Sequence, residues 1–286
     1  MRKYGFILTW VFFITVALCS PCAAAGLVSG PGWDIAGVGD FNGDGCQDVL
    51  WRNRTNGDVA VWYMSGNTLV AEQRLEAAPG PAWAVVGVGD FNGDGSPDIL
   101  LRNKSTGDVR IWYMNGPAVI GQDTVAALGS PWNIVGVGDF NGDGSPDILW
   151  RNPVTGETIV WYMKGKLPSG REIMETLPPP WNIIEIGDFD GDGSPDILWK
   201  NSATGEVVVW YMRGLVHLDP DAVLVRAPPL DIVGACSLDG DVNPGIIRRH
   251  IATLSDFRPH LTVGLPGSIV ISSPCIRAPP ILALCS

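Results

Sequence analysis

The sequence predicts an all-β protein: a β-propeller of four clear four-stranded blades, followed by a degenerate fifth blade and an irregular C-terminal tail. Two observations support this prediction. A unit of 49 or 50 residues occurs four times, and each unit holds the same loop, rich in glycine and aspartate, between strand-like runs. Four short strands in such a unit form one propeller blade, which cannot bury its own faces and must stack on its neighbours.

The first 25 residues are predicted to be a secretory signal peptide and not part of the fold. Arg2 and Lys3 precede an apolar run over residues 6–18, and residues 23–25 are small alanines suited to cleavage before Gly26. The apolar run is shorter than the roughly 20 residues that a transmembrane helix needs. We therefore expect a secreted, extracellular or cell-surface protein with no transmembrane segment in the mature chain.

The third unit illustrates the predicted strands. Residues 132–140 are predicted to form a first strand and residues 147–152 a second, which ends at a turn signal containing Thr-Gly. Residues 157–163 alternate between two faces and indicate a third strand. The fourth strand is predicted in a looser segment, which is residues 69–75 in the first unit and 118–126 in the second. These runs are rich in β-branched and aromatic residues, as strands are.

The repeat spacing divides residues 26–249 into blades. The four clear units span about residues 31–79, 80–129, 130–178 and 179–227. The fifth, residues 228–249, is eroded: Ser237 replaces the first aspartate of the loop, Val242 a glycine and Gly245 the last aspartate, so we predict no metal there. Residues 250–286 are predicted to be an irregular tail. Because propellers have about four to eight blades, we expect a five-bladed ring, with a four-bladed ring and an appendage as the alternative.

The repeated loop has the composition of a site for a hard cation. Oxygen-bearing side chains occupy positions 1, 3, 5 and 9 of its nine residues, and position 6 is always glycine. Ca²⁺ binds about six to eight oxygens at about 2.3–2.6 Å, and an ion would offset the repulsion between aspartates, about 4 kcal/mol per pair at about 4 Å and a dielectric of about 20. We predict about four Ca²⁺ sites, in which position 7 offers its backbone carbonyl. The predicted ligands are Asp40, Asn42, Asp44, Cys46, Asp48, Asp90, Asn92, Asp94, Ser96, Asp98, Asp139, Asn141, Asp143, Ser145, Asp147, Asp188, Asp190, Asp192, Ser194 and Asp196.

Two other interpretations of the loop were weighed. In an Asx turn, aspartate and asparagine side chains cap their own backbone, and a single copy would fit that description equally well. Four copies with one pattern favour metal binding. An EF-hand loop starts in the same way, but it needs a glutamate at position 12 and helical flanks. Here position 12 is tryptophan or leucine, and the flanking residues favour strands.

The string Gly-Asp-Phe-Asn-Gly-Asp-Gly-Ser-Pro-Asp-Ile-Leu, followed by Thr-Gly and Val-Trp-Tyr-Met, resembles the FG-GAP/VCBS repeat family. That family includes integrin α-subunit propellers, many secreted microbial proteins and some fungal lectins. The resemblance covers about residues 31–215. It implies a calcium-stabilised propeller that works outside the cell in adhesion or carbohydrate binding. It also implies the ligand positions given above, with Asp190 in place of asparagine in the fourth copy.

Aromatic residues recur at fixed positions of the repeat. Eleven of the twelve tryptophans lie in the repeats at matching positions, which favours a core between sheets over sugar-stacking platforms. One tyrosine per unit alternates to the opposite face of the third strand and is a better candidate for an exposed binding surface. These tyrosines are Tyr63, Tyr113, Tyr162 and Tyr211.

The charge balance limits the classes of partner. The formal net charge is −11, and thirteen of the thirty acidic residues lie in the four loops. Much of the negative charge is therefore attributed to the predicted metal ligands. A nucleic-acid partner would require a basic face, and we predict none. We predict no catalytic residues and a function in adhesion or in binding glycans or extracellular proteins. A calcium-dependent polysaccharide lyase or hydrolase and a purely structural scaffold are the alternatives.

Overall fold

The structure is a computed structural model that describes residues 32–65, 68–76, 78–225, 230–236, 245–250 and 269–271. The predicted signal peptide lies outside these residues, as does most of the predicted tail. The described ranges contain strands and turns, and no helix among them is long and apolar enough to cross a membrane. The all-β prediction is confirmed.

Each of the four clear repeat units forms one antiparallel four-stranded sheet, with the strands in chain order. Blade 1 consists of β1 (Trp33–Gly39), β2 (Asp48–Asn53), β3 (Val59–Ser65) and β4 (Thr68–Arg74). Blade 2 consists of β5 (Trp83–Gly89), β6 (Asp98–Asn103), β7 (Val109–Asn115) and β8 (Ala118–Val125). Blade 3 consists of β9 (Asn133–Gly138), β10 (Asp147–Arg151), β11 (Thr158–Lys164) and β12 (Leu167–Met174). Blade 4 consists of β13 (Trp181–Gly187), β14 (Asp196–Asn201), β15 (Val207–Arg213) and β16 (Val216–Val225).

The blades are arranged as a β-propeller in which the first strand of each blade contacts the first strand of the next. A small residue permits this approach: a Cβ atom on Gly87 of β5 would lie 2.3 Å from Val137 Cγ2 of β9. The same glycine occurs in blades 1 and 3, as Gly37 and Gly136. In blade 4 the corresponding residue is Glu185.

Hydrophobic cores lie between successive blades. The core between blades 2 and 3, for example, joins Leu100 and Ile111 of one sheet to Trp150 and Trp161 of the next. Trp150 is fully buried, and its ring centroid lies 5.3 Å from that of Trp161. The interpretation of the second- and third-strand tryptophans as core is confirmed in all four blades, except that Trp51 is only partly buried. The first-strand tryptophans are only partly buried.

The predicted degenerate fifth blade is present in part. Strands β17 (Leu230–Cys236) and β18 (Gly245–His250) pair antiparallel. Their pairing has the same one-residue irregularity as the pairing of the first two strands in each of the four blades. β17 contacts β13, as each earlier first strand contacts the one before it. The third strand, β19 (Ile269–Ile271), pairs parallel to β18, so among the described residues only two strands of this unit follow the blade pattern. The propeller therefore has four complete blades.

Candidate metal centres

The four acidic loops lie at one end of the propeller, because each joins the first strand of a blade to the second. The turns between second and third strands lie at the opposite end. Neighbouring loops are close to each other: a Cβ atom on Gly39, which precedes loop 1, would lie 3.0 Å from Pro97 of loop 2. Loops 2 and 3 stand in the same relation through Gly89, and loops 3 and 4 through Gly138. The loops therefore form a continuous row.

The first aspartate of each loop organises the turn. In loop 3, Asp139 Oδ1 accepts hydrogen bonds from the backbone N–H groups of Gly142 (2.7 Å) and Asp143 (3.1 Å). Asp139 Oδ2 accepts a third from Gly144 N–H at 2.8 Å. Gly142 and Gly144 both have positive φ angles, 74° and 83°, which residues with a side chain rarely adopt. The other three loops repeat this arrangement.

The last aspartate of each loop is buried and connects the loop to the third strand. Asp147 is fully buried; its Oδ2 accepts the backbone N–H of Phe140 at 3.0 Å, and its Oδ1 accepts that of Met163 in β11 at 2.9 Å. The corresponding carboxylates of the other loops make the same two contacts. They belong to Asp48, Asp98 and Asp196. The sequence identified these residues as ligand candidates only and did not reveal this second role.

Positions 3 and 5 are exposed and interact with each other in the first three loops. In loop 3, Asp143 Oδ1 accepts the backbone N–H of Ser145 at 2.9 Å, and Asp143 Oδ2 accepts a hydrogen bond from Asn141 Nδ2 at 3.1 Å. The N–H donors lower the pKa of the Asp143 carboxyl. Position 7 thus contributes a backbone N–H to the loop, which leaves its carbonyl available.

Loop 4 brings three carboxylates together. One carboxylate oxygen from each of Asp188, Asp190 and Asp196 lies within 4.8 Å of the other two. These are positions 1, 3 and 9, and position 3 is asparagine in the other loops. The fourth carboxylate, Asp192, is not part of this group. Three converging carboxylates next to exposed backbone form a donor set typical of Ca²⁺ sites.

The hydrogen bonds within the loops leave room for a cation. Each carboxylate oxygen has about two lone-pair positions. Asp147 uses one on each oxygen for a backbone N–H, and Asp139 uses two on Oδ1 and one on Oδ2. Both residues therefore retain acceptor capacity. In loop 4 the converging carboxylates of positions 1, 3 and 9 fit a divalent cation.

Burial of the last aspartate changes its protonation in the metal-free protein. Burial raises the pKa of Asp98, Asp147 and Asp196 to about 6, although two backbone N–H groups favour each carboxylate. The neighbouring loop aspartates raise the pKa further. The pKa of Asp48 is raised for the same reason. A cation in the loop would favour the ionised form, so metal and proton compete for these groups.

We expect acidification to stabilise the metal-free protein. Between the ordinary aspartate pKa of 3.8 and the folded value of about 6, the folded state binds more protons than the unfolded state. The free energy of unfolding should therefore rise as the pH falls from about 7 to about 5. Melting curves recorded in excess chelator test this. In saturating calcium the rise should disappear or reverse, and a chelated protein that loses stability over this range would contradict the prediction.

A basic residue lies near the end of each second strand, and in blades 1 to 3 it contacts the next blade. Arg151 is almost fully buried, and its guanidinium donates hydrogen bonds to the carbonyls of Gly156, Leu177 and Trp181. It also lies over the ring of Trp199 in blade 4, 4.8 Å from the ring centroid. The hydrogen-bond partners of Arg151 are thus carbonyl and hydroxyl oxygens.

The register-matched tyrosines are partly buried. Two of them donate hydrogen bonds to acidic residues of the fourth strand: Tyr113 Oη to Asp123 at 3.1 Å and Tyr162 Oη to Glu172 at 2.8 Å. Lys166 of blade 3 forms an ion pair with Asp123 at 2.8 Å. A role of these tyrosines in binding stays a prediction.

The chain belongs to the FG-GAP-like repeat family. The family profile matches three times, over residues 40–101, 90–150 and 139–199, which together cover more than half of the chain. Each match runs from one acidic loop to the second strand of the next blade. The resemblance deduced from the loop sequence is thus confirmed. No curated protein matches the chain.

Two solved structures show weak similarity to the chain. One is the Tc holotoxin pore of Photorhabdus luminescens, carrying the mutation TccC3-D651A, at 12% sequence identity and a TM-score of 0.39. The alignment covers 78% of this chain and 13% of that one. The other is the WD40 domain of SCAP from fission yeast, at 14% identity and a TM-score of 0.35, covering 68% of this chain and 44% of that one. This chain therefore spans less than half of the length of either.

Proposed function

We propose that this protein is a secreted, calcium-binding β-propeller that acts as an adhesion module or binds carbohydrate or protein. The observation that carries the proposal is the convergence of Asp188, Asp190 and Asp196 in a loop whose turn geometry is repeated in all four blades. An ion at each loop would join the first and second strands, and through the last aspartate it would also hold the third. Calcium would thus stabilise every blade.

The propeller fold and membership in the FG-GAP-like repeat family support a binding or structural role. The loops form a row at one end of the molecule, and the turns of the opposite end are free to vary between blades without disturbing them. We propose no catalytic residues, because the clustered aspartates are engaged in the loops. We also propose no nucleic-acid partner, since the chain is strongly acidic.

Calcium is expected to raise the melting temperature. At a free concentration of ten times Kd, each site adds about 1.4 kcal/mol to the free energy of unfolding. Melting curves in millimolar calcium and in excess chelator measure this directly. Calorimetric titration should give about four ions per chain, and Asp143→Ala should leave about three. Identical melting curves under both conditions would refute the calcium proposal.

A glycan array separates a binding module from a scaffold. The calcium-loaded protein should bind a subset of glycans, and the signal should fall in chelator. Absence of binding to glycans and to extracellular matrix proteins would favour a structural scaffold. Release of unsaturated product from an acidic polysaccharide would favour the lyase alternative.

A further inference from the structure

A cleft of about 420 Å³ lies between blades 2 and 3, at the end of the propeller opposite the acidic loops. The end of β6 and the following turn form one wall, and the segment that leads into β9 forms the other. Its size falls within the range of about 300–1,000 Å³ that is typical of small-molecule sites. Blades 2 and 3, which form the walls of the cleft, share one hydrophobic core.

The guanidinium of Arg102, in the wall of this cleft, has few hydrogen-bond partners. Its Nη2 donates to the carbonyl of Leu128 at 3.4 Å, and its buried Nη1 has no partner among the described residues. The group is nevertheless held in position, since it lies over the ring of Trp150 at 5.1 Å from the centroid. A buried donor left without an acceptor costs about 1–3 kcal/mol, and more for a charged group.

The arginine of blade 3 that is equivalent to Arg102 has side-chain hydrogen-bond acceptors that Arg102 lacks. Arg151, the equivalent residue of blade 3, donates to the hydroxyls of Thr158 and Thr176. The corresponding residues in blade 2 are Val109 and Ala127, which offer no acceptor. These side-chain acceptors are particular to blade 3, because the residue equivalent to Thr158 is valine in the other three blades.

A second cation of the cleft also lacks the partner that its counterpart has. In blade 1, Arg54 forms an ion pair with Asp34 at 3.0 Å. In blade 2 the equivalent pair of residues is Lys104 and Ala84, both of which line the cleft. Within the described ranges, no carboxylate forms an ion pair with Lys104. The cleft therefore carries two basic groups without a counter-charge, in a protein of net charge −11.

The remaining lining has the chemistry of a sugar site. The hydroxyls of Ser105, Thr106 and Ser130 line the cleft together with the partly buried ring of Trp132. The Thr106 hydroxyl donates to Asp108 at 2.6 Å, so its oxygen remains an acceptor. An aromatic face beside hydroxyl groups suits a saccharide ring, and the two cations suit an acidic substituent on it.

We propose that the cleft between blades 2 and 3 binds an anionic saccharide, a sugar that carries a carboxylate or a sulfate. The acidic group binds Lys104, with the positive charge of Arg102 beside it, and the ring lies against Trp132. This inference rests on the proposed binding function and names its ligand class. It involves none of the acidic loops.

The test uses the calcium-loaded full chain, with tryptophan indole N–H signals followed by NMR during titration. The probes are glucuronate, glucose 6-sulfate, glucose and inorganic sulfate. We expect the two acidic sugars to shift the Trp132 signal, assigned through Trp132→Phe, and to bind at least about tenfold more tightly than glucose or sulfate. Lys104→Gln should weaken their binding about tenfold or more, because it removes a charged hydrogen-bond donor. Lys104→Arg should retain most of it.

Arg54→Gln is the matched control, because it removes the equivalent cation of blade 1. It should leave the affinity for both acidic sugars unchanged. Equal binding of sulfate alone would overturn the saccharide assignment, and unchanged affinity in Lys104→Gln would overturn the location. A protein that calcium stabilises and that binds only neutral glycans on the array would keep the proposed function and overturn the cleft proposal.

Discussion

Asp147→Ala is expected to lower the free energy of unfolding by about 2–6 kcal/mol, even when calcium is absent. The fully buried carboxylate accepts the backbone N–H groups of Phe140 and Met163, and alanine would leave both without a partner. Each buried donor left unsatisfied costs about 1–3 kcal/mol. Chemical denaturation in excess chelator measures the change, because it removes any contribution from metal.

Asp143→Ala is the control within the same loop. Its exposed carboxylate caps the N–H of Ser145 and contacts Asn141, so its loss in chelator should cost less than about 1 kcal/mol. In calcium, both variants should lose the ion of loop 3. Equal destabilisation of the two variants in chelator would show that Asp147 contributes nothing beyond metal binding. Asp147→Asn should fall between them, because it retains one oxygen acceptor.

The blade architecture could be predicted because it depends on features that repeat. The loop spacing fixes where the first and second strands of each blade meet, and the structure places β10 and β11 within a residue or two of the predicted ranges. The fourth strands were also located, at β4 and β8, although they are more exposed than the others. The fifth unit was predicted to be degenerate because its loop motif is incomplete. Among its described strands, only β17 and β18 pair as in the other blades.

The hydrogen bonds that hold the loops could not be predicted from residue types. An aspartate at position 9 is compatible with a metal ligand, and nothing in the sequence indicates that it reaches the backbone of a methionine sixteen residues later, as Asp147 does with Met163. The partners of Arg151 were missed for a related reason. They are carbonyls, which every residue has, so their identity depends on the path of the chain between blades 3 and 4.

The cleft was missed because it depends on differences between repeats. Comparison of the units emphasises what they share. The cleft instead depends on positions where blade 2 has an apolar residue: Ala84 where blade 1 has Asp34, and Val109 and Ala127 where blade 3 has Thr158 and Thr176. An alignment of the four units contains this signal. It becomes interpretable once the structure shows that Asp34, Thr158 and Thr176 are partners of a basic side chain in the other blades.

Arg151→Ala is expected to destabilise the protein by about 2–4 kcal/mol. The substitution removes hydrogen bonds to the carbonyls of Gly156, Leu177 and Trp181, and it also removes the contact of the guanidinium with the ring of Trp199. Hydrogen bonds to a charged group contribute about 1.5–3 kcal/mol each, and a desolvated cation–π contact about 2 kcal/mol. The expected total is smaller than their sum, because alanine also removes the cost of burying a charge.

Arg102→Ala is the control for Arg151→Ala. It shows how much stability is lost when an equivalent arginine with few hydrogen bonds is replaced by alanine. The same change is made at the same position of blade 2, but this guanidinium has one long hydrogen bond and one ring contact, so the loss should be about 1 kcal/mol or less. Arg151→Lys should resemble Arg151→Ala, since an ammonium group cannot reproduce the planar fork of donors. Denaturation curves for the three variants provide the measurement. Equal losses at Arg102 and Arg151 would mean that stacking alone, and not the carbonyl network, joins blades 3 and 4.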